Sequence, residues 1–267
     1  MRVGASTLGY LNQRSFPAAF ESIARTGFKL VDVSPAPPHL YLAGVGIYER
    51  LEVKRLMARL GLEAASVNPI EINLISVLPG YADLSRDYLA RCLEFAHELE
   101  APYVAFSPGR LFAIAPAPVE DATAALVRQL ELLVPEAERL GVLLCVETVP
   151  FGIMMTGAEI AAVVDHIGSP WVRATYDVAN TLNSEHFPDG VRALGDRLAV
   201  AHLSGSWKER WAHTSIRGCD IDYAGYRQVL DEIGFTGPTI YELVDGEDPE
   251  ERMKADLELL LEWGWEV

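Results

Sequence analysis

VLLCVETVP, residues 142–150, decides how this chain is read. It is a short apolar run that ends in one carboxylate, Glu147, ahead of a proline-led loop. In a strand alternate side chains share a face, so Leu143, Cys145 and Glu147 point one way and Val142, Leu144 and Val146 the other. Both faces stay apolar until the last inward position, the pattern of a parallel strand covered on both sides. A carboxylate at the C-terminal tip of such a strand adds little to packing. It is placed for chemistry.

The same design recurs three times downstream. VRATYDVAN (172–180) ends its strand in Asp177, LAVAHLSGS (198–206) carries His202, and PTIYELVDG (238–246) reaches Glu242 before a loop. Four apolar strands thus deliver Glu, Asp, His and Glu at comparable depth. Three oxygen donors and one imidazole suit a single divalent cation, with Mn²⁺ foremost and Mg²⁺, Co²⁺ or Zn²⁺ as further choices. The plainer alternative is four unrelated buried polar residues satisfied by neighbours, but carboxylates are rarely buried unless paired.

Outward from these strands the chain alternates regularly. Strands are expected at Arg2–Ser6, Leu30–Ser34, Ala64–Asn68 and Tyr103–Ser107, then in the four stretches above, with Leu198–Leu203 seventh and Pro238–Leu243 eighth. Helices are expected at Phe16–Thr26, Tyr48–Leu60, Ser85–Leu99 with Ser85 as N-cap, Glu120–Leu140, Gly157–His166, Pro188–Leu194, Tyr223–Ile233 and Pro249–Trp263. Gly27, Gly61 and Gly141 stand just past three of them, where helices commonly end. Eight such β/α units of about thirty residues point to a single (β/α)₈ TIM barrel filling residues 1–267, with no dividing linker. A doubly wound sheet is the alternative, but no glycine-rich dinucleotide turn follows any strand. In a barrel, Glu147, Asp177, His202 and Glu242 come from consecutive strands and line half of the C-terminal rim. The loop of about twenty residues after Leu203 is long for this fold and is expected to be functional.

Composition narrows the partners. The 267 residues are 50% hydrophobic, enough for a large core, and the formal charge of −16 has no basic cluster to interrupt it. Nucleic-acid binding needs a basic face, so it is not expected. No uncharged run approaches ~18 residues, so no membrane span is expected. The chain opens MRVGAST with no leader pattern, and its three cysteines, Cys92, Cys145 and Cys219, have no paired spacing. Both features favour a reducing, cytoplasmic setting.

At VETVP, YDVAN, AHLSG and IYELV, and through GCDIDYAGYRQVLDEIGFTGP (218–238), the chain resembles the xylose isomerase-like TIM-barrel superfamily, the sugar phosphate isomerase/epimerase group. The resemblance covers essentially the whole chain and is similar in pattern to D-tagatose 3-epimerase-like members. It implies that Glu147, Asp177, His202 and Glu242 hold one divalent metal. It also implies that Glu147 and Glu242 exchange protons with substrate, while Asp177 and His202 act as ligands only.

Two departures matter. Many epimerase-like members carry Asp-x-x-His on strand six, whereas here the fourth residue is Asn180. The AP endonuclease branch has extra histidines at the tips of strands three and four, whereas these tips carry Asn68 and Ser107, which argues against a trinuclear zinc cluster and DNA repair. Asn68, Ser107, Asn180, Lys208, His213 and Arg217 are the expected substrate-binding residues, the last three from the long loop, which also holds Trp207, Arg210 and Trp211. His39, His97, His166 and His186 read as surface or locally satisfied.

The expected activity is metal-dependent isomerisation or epimerisation in carbohydrate metabolism, by proton transfer beside a carbonyl through an enediolate. The expected partner is a small sugar or polyol, with self-association into a homo-oligomer. A dehydratase of the inosose or 3-dehydroshikimate type shares the deprotonation step and is the alternative on the same scaffold. A non-catalytic sugar-binding or accessory subunit is the alternative of a different class.

Overall fold

In a computed structural model, which describes residues 1–244 and 246–267, the apolar stretches become parallel strands. In order they are β1 (Val3–Ser6), β2 (Leu30–Val33), β3 (Glu63–Val67), β4 (Tyr103–Phe106), β5 (Leu143–Glu147), β6 (Val172–Asp177) and β7 (Leu198–Leu203). A hairpin of β8 (Gly205–Trp207) and β9 (Arg210–Thr214) follows, then β10 (Thr239–Tyr241). All except the hairpin close into an eight-stranded barrel, sealed where Val3, Gly4 and Ala5 pair in parallel with Thr239, Ile240 and Tyr241. The stretch at 142–150 leaves the sheet after Glu147, because Val149 N bonds back to Met154 O in the following loop.

The helices are α1 (Phe16–Thr26), α2 (Ile47–Leu60), α3 (Pro79–Leu99), α4 (Val119–Leu140), α5 (Gly157–Ile167), α6 (Val178–Thr181), α7 (Phe187–Leu194), α8 (Tyr223–Glu232) and α9 (Glu250–Glu262). Most lie within a residue or two of the expected spans because apolar spacing and terminal glycines set them. The exception is α3, which begins at Pro79, six residues before the expected N-cap at Ser85. Proline suits a first helical turn, where its missing N–H is not needed. Ser85 instead lies inside the helix, donating its hydroxyl to Tyr81 O at 3.0 Å and accepting from Asn73 N at 3.1 Å. Among the described residues, no helix is long and apolar enough to cross a membrane.

Alternation along each strand divides the interior in two. Val31, Val67, Val104, Phe106, Leu144 and Val146 pack outward under the helices in the larger core. Leu30, Ala65, Cys145, Val200 and Ile240 form a separate apolar cluster inside the barrel, with Tyr103 and Leu143 against it. The lumen is therefore a filled core at its N-terminal half and not a pore. Toward the C-terminal end the inward positions turn polar, and there the chemistry begins.

Candidate active site

Glu147 ends β5, Asp177 ends β6, His202 lies near the end of β7 and Glu242 directly follows β10. The four are buried, and each offers a ligand atom such that all four atoms lie within 4.8 Å of one another. The register explains the convergence: Asp177 pairs with His202, while Glu147 and Glu242 each stand on the flanking strand's inward face. His202 Nδ1 is 3.1 Å from Glu147 Oε1 and 3.6 Å from Glu242 Oε1. Asp177 uses Oδ1 to accept from Ala179 N and Asn180 N at 2.7 and 3.0 Å, capping α6, a turn the sequence reading did not contain. Among the described residues, its Oδ2 is buried with no hydrogen-bond partner, as is His202 Nε2.

Burial dominates the electrostatics. It pushes Glu147 up to about 7, opposed by the neighbouring His202, and raises Asp177, opposed by His213. Burial would raise Glu242 as well, but His202, His213 and the Asn68 amide outweigh it and hold that carboxyl below its ordinary range. For the imidazoles burial works downward, yet Glu242 and Glu147 lift His202 to about 10, and Asp177 and Glu242 lift His213 to about 9. Three clustered carboxylates in a water-poor site are costly unless a cation compensates them. Donor atoms about 2.0–2.2 Å from an ion are at most about 4.4 Å apart, so the ring fits a divalent cation after a small contraction. The unpartnered Asp177 Oδ2 is a ready donor to it.

The long loop after β7 is largely the β8–β9 hairpin, whose strands cross closely at Gly205, where a Cβ would lie 1.8 Å from Ser215 O. The hairpin carries His213 to the ring, with Nδ1 3.3 Å from Glu242 Oε2 and Nε2 3.7 Å from Asp177 Oδ2. His213 Nε2 and Trp211 Nε1 both meet Asn180 Oδ1, at 3.1 and 2.9 Å, and Asn180 Nδ2 donates to Thr148 O at 3.0 Å. Asn180 thus ties the β6 tip, the β5 loop and the hairpin together. Asn68 is also at the ring, donating Nδ2 to Glu242 Oε1 at 3.0 Å.

These groups open into a cleft of 590 Å³ lined by Asn68, Ser107, Glu147, Asn180, His213 and Glu242, with Tyr81, Phe151 and Trp211 also in its wall. Phe151 and Trp211 meet edge to face at 6.0 Å. Two expected substrate-binding residues lie elsewhere. Lys208 is exposed at the hairpin turn, its N–H on Asp220 and its carbonyl accepting from Asn183. Arg217 points to α9, donating to Ala255 O at 2.5 Å, with Nε 3.3 Å from Asp256.

Asp256 is the reason for that second placement. Fully buried on α9, it accepts from Tyr241 Oη at 2.5 Å, Ser215 Oγ at 3.0 Å and Ile216 N at 3.1 Å, so it anchors the hairpin's exit to β10. Asp256→Ala leaves three donors, two of them buried, without their charged acceptor and is expected to cost ~2–4 kcal/mol, on the scale of hydrogen bonds to charged groups. For a chain of this size that lowers Tm by roughly 5–10 °C in a thermal melt. An unchanged Tm would show that the anchor is dispensable.

Sequence reasoning also missed Asp32, a fully buried carboxylate on β2 that accepts from Ser6 Oγ at 2.8 Å and Ser66 Oγ at 2.6 Å. Its signal was an acidic residue inside the apolar run LVDV (30–33). Burial raises it to about 6, with His202 pulling the other way.

The sequence profile of the xylose isomerase-like TIM barrel matches residues 20–263. No curated protein matches by sequence. Among solved structures, a D-tagatose 3-epimerase-like protein superposes with a TM-score of 0.86 at 21% identity, over 98% of this chain and 97% of its own. A D-allulose 3-epimerase from Methylomonas sp., solved with D-allulose, gives 0.81 at 19% identity, over 98% and 96%. A xylose isomerase-like TIM barrel protein from Mycobacterium smegmatis, solved with magnesium, gives 0.80 at 15% identity, over 98% and 96%. At these identities the likeness is one of fold.

Proposed function

Because the chain belongs to the xylose isomerase-like TIM-barrel family, we propose that it is a divalent-metal-dependent isomerase or epimerase of a small keto-sugar or polyol. The observation that carries this reading is the buried ring of Glu147, Asp177, His202 and Glu242, with no hydrogen bond to Asp177 Oδ2 among the described residues. The D-allulose 3-epimerase and the D-tagatose 3-epimerase-like protein of the same fold support it at the level of reaction class. Cys92, Cys145 and Cys219 are unpaired, in keeping with a reducing cytoplasm.

A bound divalent cation supplies electrophilic stabilisation of the negative charge that develops when the carbon beside a carbonyl loses its proton. Glu147 and Glu242, at the two ends of the four-strand arc, are the proton-transfer pair. Glu242, held ionised by Asn68 and His213, removes the proton, and Glu147 returns one to the opposite face, inverting that carbon. Return to the adjacent carbon gives aldose–ketose isomerisation. Asn68 and Ser107 present amide and hydroxyl groups to the sugar's hydroxyls, Asn180 holds His213 and Trp211 in place beside them, and Phe151 and Trp211 cover the sugar's apolar face. His213 supplies from the hairpin the second imidazole that Asp-x-x-His would have placed at position 180.

The test is a panel of free ketoses, their phosphates and cyclic polyol ketones, incubated with the Mn²⁺-loaded protein and resolved by chromatography and NMR. The expected result is a new epimer or isomer from a free ketose, with mass conserved. Loss of water to an ultraviolet-absorbing product would replace this reading with the dehydratase, and binding without turnover across the panel would replace it with the accessory subunit.

A further inference from the structure

Directly beneath the ligand ring, the barrel lumen holds a second polar layer that the proposed chemistry leaves unused. Thr175 precedes Asp177 by two residues on β6, so it faces the lumen one layer lower, fully buried, with no hydrogen bond to its Oγ1 among the described residues. Asp32 projects into the lumen from β2, alternating with the lumen residue Leu30. Its two oxygens take the hydroxyls of Ser6 and Ser66 from the strands on either side. Among the described residues no lysine or arginine pairs with it, so its contacts are two neutral donors around a full carboxylate. Above this layer stands His202, whose Nε2 is buried with no hydrogen bond among the described residues although Nδ1 faces Glu147 and Glu242.

A neutral imidazole carries one N–H, and the nitrogen that binds a metal is the one without it. Nδ1 is the nitrogen that faces the other ligand atoms. When His202 serves as a ligand its proton must therefore sit on Nε2, in a closed space that needs an acceptor. Metal-binding histidines characteristically give their second N–H to a carboxylate, a carbonyl or a water. We propose that Asp32 is a positioning residue for this site. Its carboxylate, relayed by one buried water that also meets Thr175 Oγ1, holds the His202 proton on Nε2 and leaves Nδ1 free as the metal donor. Three polar partners are what a buried water ordinarily finds. The inference rests on the metal-binding reading above, and it adds a residue that touches neither the metal nor the substrate.

Asp32→Asn keeps the shape and removes the charge. By titration calorimetry with Mn²⁺, it is expected to weaken binding ~10–100-fold, the usual effect of losing an outer carboxylate partner. The metal-free Tm should change little, and Asp32→Glu should recover most of the affinity by restoring a carboxylate. In ¹⁵N-histidine-labelled protein loaded with Mg²⁺, His202 should carry its proton on Nε2, and that proton should exchange faster in Asp32→Asn. Thr175→Val gives an independent variant, expected to weaken Mn²⁺ binding without removing any charge. Unchanged Mn²⁺ affinity in both Asp32→Asn and Thr175→Val, or a His202 proton found on Nδ1 in the loaded wild type, overturns the inference while leaving the metal site intact. Failure of the wild type to take up metal overturns both.

Discussion

Glu242→Gln is expected to retain a divalent metal and to lose ~10²–10⁴-fold in kcat, the usual scale of a general acid–base group. The amide keeps nearly the same shape and one oxygen, which can still accept from Asn68 Nδ2, now 3.0 Å from the carboxylate. Glu147, Asp177 and His202 remain as donors, so the site is weakened but not dismantled. What disappears is the negative charge that His202 and His213 stabilise at 3.6 and 3.3 Å, and with it the capacity to accept a proton from carbon. The change keeps the shape of the cleft wall and the Asn68 hydrogen bond, so KM should move far less than kcat. A variant that turns over near the wild-type rate with full metal would remove Glu242 from the reaction.

His202→Ala has a different signature. It deletes the one nitrogen donor of the ring, and losing a ligand should exceed the ~10–100-fold penalty of losing an outer partner. Metal occupancy and activity should therefore fall together. The metal-free protein should also suffer, because His202 is the buried cation between Glu147 and Glu242. Breaking a buried pair from one side leaves charge uncompensated, typically at ~3–5 kcal/mol. Elemental analysis after gel filtration, with melts in the presence and absence of EDTA, separates the two effects. Full metal occupancy in His202→Ala would contradict the ligand assignment.

The residues changed in these two variants, Glu242 and His202, stand out in the sequence together with Glu147 and Asp177. The inward face shared by Leu143, Cys145 and Glu147 was legible because strand alternation is strict and both faces of a barrel strand are apolar. Asp177, His202 and Glu242 followed from the same pattern, each breaking an apolar run at its tip. The hairpin at 205–214 was not legible. Its two-residue turn is Lys208–Glu209, without the Asn-Gly or Asp-Gly signature, so the alternation in RWAHT stood without a turn to anchor it. That hid the path of His213, and it made Lys208 and Arg217 look like cleft cations when one lies at the turn and the other reaches to α9. Asp256 and Asp32 are long-range anchors. Ser215, Ile216 and Tyr241 meet Asp256, and Ser6 and Ser66 meet Asp32, across separations that periodicity along the chain cannot express. Ser85 failed as a cap for a local reason, since Pro79 started the helix earlier and left the serine inside it.

The central claim is that the ring binds one divalent ion and that its glutamates move a proton on and off the carbon beside a carbonyl. Proton NMR of free ketoses in deuterated water, with metal-loaded and EDTA-treated protein side by side, tests it most directly. The loaded protein should wash deuterium into that one carbon position of a substrate ketose, even where net epimerisation is small, and the chelated protein should not. Stoichiometric metal with no deuterium at that carbon in any ketose, phosphate or cyclic ketone of the panel would contradict it.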